Sequence, residues 1–260
     1  MPAHNLLDNS DFRNPVNQRN SAYYTNGNEY TIDRWKTQYA TNISIENGYI
    51  NIWGNWDLKQ RLKKPLGIIY TLAAKVRINF IGDYTPAVGI DGGQKVELDA
   101  PIDEWRIYAK QIDISSITDE TIEIQLAPNG GNSSGSISVE WVALYEGAYT
   151  VDTLPPYQPK GYAAELAECR LYYKVIDVNV APWLLESTTL RRYYVGYEPM
   201  RIAPTVDVSG LKEYATWRDL ASTMNPYNIK NNRVLISAAS SETTSTRVYM
   251  GGSIALSADL

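Results

Sequence analysis

The chain has 260 residues, with 24 Lys and Arg against 29 Asp and Glu and a net charge of −5. That balance argues against a nucleic-acid partner, which needs clustered positive charge. A single His (His4) and a single Cys (Cys169) exclude a His-based catalytic triad in a folded interior, a Cys/His zinc cluster and an intrachain disulfide. The aromatics are 20 Tyr and 7 Trp against 2 Phe, a bias toward rings with a polar edge that suit wet contact surfaces.

In chain order, Met1–Asn5 has no basic region followed by an apolar stretch, so no signal peptide is expected. Asn9 and Asp11 would offer oxygen ligands to a structural Ca²⁺ if the fold brought further acids beside them. Asn47-Gly48, between Ile43–Ile45 and Ile50–Ile52, reads as a hairpin turn, as does Asp91-Gly92-Gly93. The longest mainly apolar run, Leu66–Ala74, falls short of the roughly 20 residues of a membrane helix, so no membrane insertion is expected.

From Ile68 to Phe80 every second residue is apolar, while Thr71, Lys75, Arg77 and Asn79 face the other way, which predicts a long strand with one wet face. Ile122, Ile124 and Leu126 repeat the pattern. Ile137, Val139, Trp141, Ala143 and Tyr145 are expected to share one strand face. Many short strands with turns at about ten-residue spacing describe an antiparallel sandwich over 1–152.

Leu154-Pro155-Pro156-Tyr157-Gln158-Pro159 reads as an extended linker, because each proline lacks an N–H donor. Gly161–Lys174 follows as a helix with an apolar seam of Tyr162, Leu166, Cys169 and Tyr173. The seam fits either a short coiled coil or a connector lying on a sandwich. Residues 153–174 are thus linker and helix, and 175–260 a small β domain punctuated by prolines. The fold class is mainly β: a jelly-roll sandwich, a short helix and a C-terminal β domain.

No catalytic constellation stands out. Asp99, Asp103-Glu104 and Asp119-Glu120 read as solvated turn acids, and Gly130–Gly135 as a flexible loop lacking the Lys of a phosphate cradle. Sugar recognition stacks Trp or Tyr faces on pyranose rings while Asn, Asp, Gln and Arg bind hydroxyls. On that ground Trp53 and Trp56 flanking Gly54-Asn55 are the N-terminal candidates, and Trp183, Trp217, Arg218 and Asp219 the C-terminal ones. Tyr23-Tyr24 are expected to line a loop. Trp35 and Trp141, in strand patterns, read as packing residues, and Cys169 as a buried thiol.

Three segments together carry a family resemblance: Asn5–Arg19 with Thr31-Ile32-Asp33-Arg34-Trp35, Trp141–Gly147, and Glu165–Tyr173. They resemble the opening strand, the closing strand and the following short helix of carbohydrate-binding-module-like jelly rolls in bacteriophage and prophage tail proteins. The resemblance implies a virion-tail fibre or receptor-binding protein that is non-enzymatic and assembled in the host cytoplasm. It further implies a homotrimer, with bacterial surface glycans and other tail or baseplate proteins as partners. A tail-associated polysaccharide depolymerase and a purely structural connector are the alternatives. No cofactor is expected.

Overall fold

Alternation organises residues 41–146. Ile43, Ile50, Ile52, Leu72, Val76, Ile78, Ile124 and Leu126 point inward and are at most 1% exposed, and the pleat turns the residues between them outward. The structure, a computed structural model, describes residues 4–25, 27–39, 41–54, 57–67, 69–81, 85–91, 93–99, 101–127, 135–180, 182, 184–185, 190–215, 218–220, 222–240 and 248–258. Of 184–185, 215, 218–220, 222 and 240 it describes the backbone alone. The chain divides into two compact units, Met1–Leu166 and Ala167–Asp259.

Among its described residues the first unit carries eleven strands: β1 (Tyr23–Tyr24), β2 (Lys36–Thr37), β3 (Thr41–Glu46), β4 (Tyr49–Gly54), β5 (Leu58–Lys63), β6 (Ile69–Phe80), β7 (Ala87–Ile90), β8 (Lys95–Glu97), β9 (Trp105–Asp113), β10 (Thr121–Ala127) and β11 (Gly135–Glu146). They form a six-stranded sheet, β1-β3-β4-β11-β6-β9, and a five-stranded sheet, β2-β5-β10-β7-β8. Pairing is antiparallel throughout, and the inner faces share one core that also takes Leu7, Phe12, Ile32 and Trp35 from the N-terminal segment. This is a jelly-roll sandwich. At the Asn47-Gly48 hairpin Gly48 has φ +93°, a conformation that glycine adopts without steric cost.

Two expectations about the strand faces are corrected. First, β11 does not keep one phase. Its register against β6 slips between Val139 and Trp141, leaving Glu140 as an extra residue. Ile137 and Val139 therefore point into the main core with Val142 and Leu144, whereas Trp141, Ala143 and Tyr145 point outward. Second, the wet face of β6 is wet over half its length. Thr71 and Ala73 are 0% and 1% exposed, because residues 149–157 cross over them.

That crossing segment is the proline-rich stretch expected to be a linker. It lies on the outer face of the six-stranded sheet, with Tyr149, Leu154 and Tyr157 packed on Ala73, Trp141, Ala143 and Tyr145. Tyr157 stacks on Trp141 with ring centroids 4.6 Å apart and planes 9° from parallel. The Arg13 guanidinium lies 5.5 Å from the Tyr157 centroid. Thr71 fixes the start of the strap: its hydroxyl donates to the Gly147 carbonyl at 2.8 Å and accepts from the Tyr149 N–H at 2.9 Å. Burial pushes the phenols of Tyr157 and Tyr145 up, the latter to about 12.

The N-terminal motif is built into the same unit. Asn9 Oδ1 accepts from the Val16 N–H at 2.7 Å, and its amide donates to the Val16 and Asp33 carbonyls. The Asn9 carbonyl accepts from the Trp35 indole at 2.8 Å. Arg13 forks the Asp11 carboxylate. Both oxygen-bearing side chains proposed for Ca²⁺ are thus committed within the fold, and among the described residues no group of three or more His, Cys, Asp or Glu is placed to hold a metal.

Among the described residues there is one helix, α1 (Tyr162–Cys169), shorter than the expected 161–174. After Cys169 the chain turns, with Leu171 and Tyr172 N–H donating to the Glu168 and Cys169 carbonyls. The aromatic and β-branched run Tyr172–Ile176 then enters a strand, as β propensity favours. Of the expected seam, Tyr173 lies beyond the helix and Tyr162 is 47% exposed, while Glu165, placed off the seam, is 6% exposed, as is expected of an acid with a partner. Its carboxylate accepts from the Asn9 N–H at 2.6 Å. Cys169 is buried.

The second unit adds β12 (Tyr173–Val180), β13 (Leu184–Leu185), β14 (Leu190–Gly196), β15 (Thr205–Asp207), β16 (Leu211–Ala215), β17 (Arg218–Leu220), β18 (Ser222–Lys230), β19 (Arg233–Ser240) and β20 (Val248–Ser257). One sheet runs β12-β20-β16-β17, with β15 also on β20; the other runs β13-β14-β19-β18. Val178, Tyr193, Leu211, Val234, Ile236, Met250, Ile254 and Leu256 belong to their shared core. Pro226 sits in β18, an edge strand, where a missing donor is tolerated. Arg191 and Glu213 are buried in this unit as an ion pair at 3.0 Å.

Candidate functional site

Beyond the strap, the outer face of the six-stranded sheet carries half-buried polar and aromatic side chains, and register lines them up. Tyr23 pairs with Ser44, Ser44 with Asn51, Asn51 with Ser138, Ser138 with Arg77, and Arg77 with Trp105. One cross-strand row thus takes a residue from each of the six strands. At the usual ~4.8 Å between strands it runs for about 24 Å, room for several sugar rings.

The ends of the row are aromatic. At one end Tyr23, 52% exposed, contacts the Trp53 ring at 5.5 Å. At the other, Tyr49 meets Trp105 edge-on at 5.7 Å. The Arg77 guanidinium lies 5.3 Å from the Tyr49 centroid and 5.2 Å from that of Trp105, and the Lys75 ammonium 5.7 Å from Trp105. Trp53, Tyr49 and Trp105 are half-buried, each resting on the sheet with part of its ring in solvent.

The middle is a fixed polar network. The Asn79 amide donates to Asn51 Oδ1 at 2.8 Å and to Ser138 Oγ at 2.9 Å, and Ser136 Oγ donates to Asn51 Oδ1 at 3.2 Å. Arg77 Nε donates to Asn79 Oδ1 at 3.1 Å and its terminal nitrogen to Ser138 Oγ at 3.3 Å. Each side chain is oriented by its neighbours, so a ligand's hydroxyls meet donors and acceptors already in place. These outward residues alternate with Ile50, Ile52, Val76 and Ile78, which anchor the strands in the core.

Of the residues singled out from sequence, Trp53 lies on this face. Trp56, Trp183 and Trp217 lie outside the described residues, as do residues 128–134, and Arg218 and Asp219 are placed on β17 by backbone alone. Trp35 is fully buried and Trp141 is covered by Tyr157, both as packing residues. Tyr23 and Tyr24 form a strand, not a loop. Sequence reasoning missed Tyr49, Asn51 and Trp105 as site residues. Tyr49-Ile50-Asn51-Ile52-Trp53 does carry a signal, polar and aromatic side chains at every second position of a strand.

The outer face of the five-stranded sheet differs. A depression of about 200 Å³ there is lined by Tyr30, Lys36, Lys59, Arg61, Asp91 and Glu123 among others. Its charges pair with each other: Lys59 lies 2.6 Å from Asp91 and 3.9 Å from both Asp57 and Glu123. Burial raises the Asp57 carboxyl above its ordinary range.

No protein-family model matches the sequence, and no curated protein does. Solved structures resemble it at low identity. One, described as "CBM4 structure and function", is 16% identical with a TM-score of 0.35, over 53% of this chain and 97% of that one. A Paenibacillus sp. cycloisomaltooligosaccharide glucanotransferase complexed with cycloisomaltoheptaose is 11% identical with a TM-score of 0.27, over 96% of this chain and 51% of the enzyme. Recombinant discoidin II of Dictyostelium discoideum is 11% identical with a TM-score of 0.26, over 98% of this chain and 94% of its own. These are likenesses of fold.

Proposed function

We propose that the first unit is a glycan-binding module whose site is the outer face of the six-stranded sheet beyond the strap. The observation that carries this is the cross-strand row Tyr23–Ser44–Asn51–Ser138–Arg77–Trp105, aromatic at both ends and polar between them. A saccharide laid along it stacks the apolar faces of its end rings on the Tyr23–Trp53 and Tyr49–Trp105 pairs. Its hydroxyls then meet Asn51 and Asn79, which the fully buried Ser138 helps to hold in place from beneath. Binding of this kind asks for no catalytic group, and the protein is read as non-enzymatic.

The wider role rests on the sequence resemblance in 5–19, 31–35, 141–147 and 165–173. On that basis the protein is a fibre or receptor-binding component of a phage tail or phage-tail-like particle. It adheres to bacterial surface polysaccharide and assembles as a homotrimer with other tail or baseplate proteins. Exposed Leu171, Val175 and Ile202 in the second unit offer apolar surface for such an assembly. Trimerisation raises weak single-site affinity by avidity.

A glycan array and a host-cell binding assay test the site, comparing the wild type with Trp53→Ala, Trp105→Ala and, on the opposite sheet, Tyr30→Ala. Loss of either platform tryptophan is expected to weaken binding about 10-fold or more, and Tyr30→Ala to leave it unchanged. Equal binding by folded Trp53→Ala and Trp105→Ala proteins refutes the site. Release of oligosaccharide products from host polysaccharide refutes the non-enzymatic reading.

A further inference from the structure

We infer that the sheet face selects glycans bearing an anionic substituent, carboxylate or phosphate, and that Arg77 receives it. The inference rests on the glycan-binding reading and specifies its ligand class. The observation behind it is the treatment of charge on the first unit. Most of its buried or half-buried cations meet a carboxylate: Arg19 and Asp33 at 3.0 Å, Arg34 and Asp8 at 3.3 Å, Lys160 and Asp8 at 3.2 Å, Lys75 and Glu140 at 2.8 Å, Lys59 and Asp91 at 2.6 Å. Arg77 is treated differently. Among the described residues it has no carboxylate within ion-pair distance; its partners are neutral, Asn79 and Ser138, with the Tyr49 and Trp105 rings beside it.

The geometry suits a ligand anion. A guanidinium has five N–H donors in a planar fork, and here one Nε–H and one terminal N–H are used by Asn79 and Ser138. The remaining donors are those that can engage two oxygens of one carboxylate or phosphate side by side. The flanking rings hold the fork in place and displace water from beside it, which strengthens an electrostatic contact. Arg77 also sits inside the row, between Ser138 and Trp105, so a substituent bound there belongs to a sugar already stacked on the platform. The nearby Lys75, although paired with Glu140, adds positive potential on the same strand.

The test measures affinities of the whole chain for three probes: a neutral glucan oligosaccharide, a polyuronate oligosaccharide and a phosphate-bearing teichoic acid fragment. The proteins are the wild type, Arg77→Gln, Arg77→Lys and Trp105→Ala, with circular dichroism as the check on folding. The wild type is expected to favour at least one anionic probe over the neutral one by about 10- to 100-fold, the span of a charge-assisted hydrogen-bonded contact. Which anionic probe wins separates carboxylate from phosphate. Arg77→Gln is expected to erase the preference by lowering affinity for the favoured anionic probe about 10-fold more than for the neutral one, and Arg77→Lys to keep part of it. Equal wild-type affinity for neutral and anionic probes overturns the inference. So does an equal loss of both in Arg77→Gln, which assigns Arg77 to holding the platform together. If no probe binds the wild type and Trp105→Ala changes nothing, the glycan-binding reading itself fails, a result distinct from the other two.

Discussion

The buried ion pair of the second unit makes a quantitative prediction. Arg191 on β14 and Glu213 on β16 are 1% and 0% exposed and 3.0 Å apart, and the Tyr193 hydroxyl donates to the other Glu213 oxygen. Replacing Glu213 by Leu leaves a guanidinium and a phenol without their shared acceptor in a water-excluded core. Breaking a buried pair in this way costs about 3–5 kcal/mol. A unit of this size holds roughly 5–14 kcal/mol at about 0.05–0.15 kcal/mol per residue. The single variant therefore removes about a fifth or more of the unit's stability. Converting all three partners, with Arg191→Met, Glu213→Leu and Tyr193→Phe together, removes the desolvation cost along with the attraction. The triple variant is expected to recover most of the loss. The assay is urea unfolding with hydrogen exchange read on the amides of β14 and β16, which isolates this unit from the first. A Glu213→Leu cost below about 1 kcal/mol, or a triple variant no better than the single, refutes the reasoning.

Two further predictions concern the strap and a glycine. Burial raises the Tyr157 phenol above its unfolded value near 10, so the neutral ring favours the folded state. Its contribution is fully present below about pH 10 and is lost as pH rises through the folded-state pKa. Tryptic cleavage after Lys160 is expected to accelerate above pH 10 and to do so less in Tyr157→Phe; Tyr157→Ala is expected to open the strap at neutral pH at a cost of about 2–4 kcal/mol. In the second unit a Cβ on Gly252, at φ +119°, would fall 2.2 Å from the Gly210 carbonyl oxygen, whereas one on Gly48, at φ +93°, would meet nothing within 4 Å. Gly252→Ala is therefore expected to cost about 3 kcal/mol or more and Gly48→Ala about 1–2 kcal/mol, compared by thermal unfolding.

What could be read from the sequence is what depends on neighbours along the chain. The period of two in β6 and β10 and the Asn47-Gly48 turn are local properties, and they placed strands and their inner faces correctly. The bulge at Glu140 left no mark, because Trp141, Ala143 and Tyr145 continue the apolar alternation of Ile137 and Val139 in phase. Proline content correctly signalled an extended segment at 154–159 but not that Tyr157 would find Trp141, a contact between residues 16 apart in sequence that only folding supplies. The helix was overestimated because its spacing was counted through Tyr173, while β pairing claims the chain from that residue on. The site was half legible. Arg77 and Asn79 were already on a wet face and Trp53 was already a candidate. That Asn51, Ser138, Arg77 and Trp105 become neighbours follows from strand order, which no single segment encodes. The N-terminal Asn9 and Asp11 side chains have their hydrogen-bond partners at Val16, Asp33 and Arg13.

The extra residue in β11 has an effect beyond its own strand. By inverting the phase midway, it gives one sheet two outer surfaces with different obligations. On one side of Glu140, Trp141, Ala143 and Tyr145 form a floor that must stay complementary to the strap. On the other, Ser136 and Ser138 lie among Asn51, Asn79 and Arg77, whose inward neighbours alone hold the sandwich together. Substitutions among those outward positions leave the floor untouched. The bulge thus insulates a surface free to diversify from one tied to keeping the chain in place, and a protein that must follow a changing partner can vary the first without endangering the second.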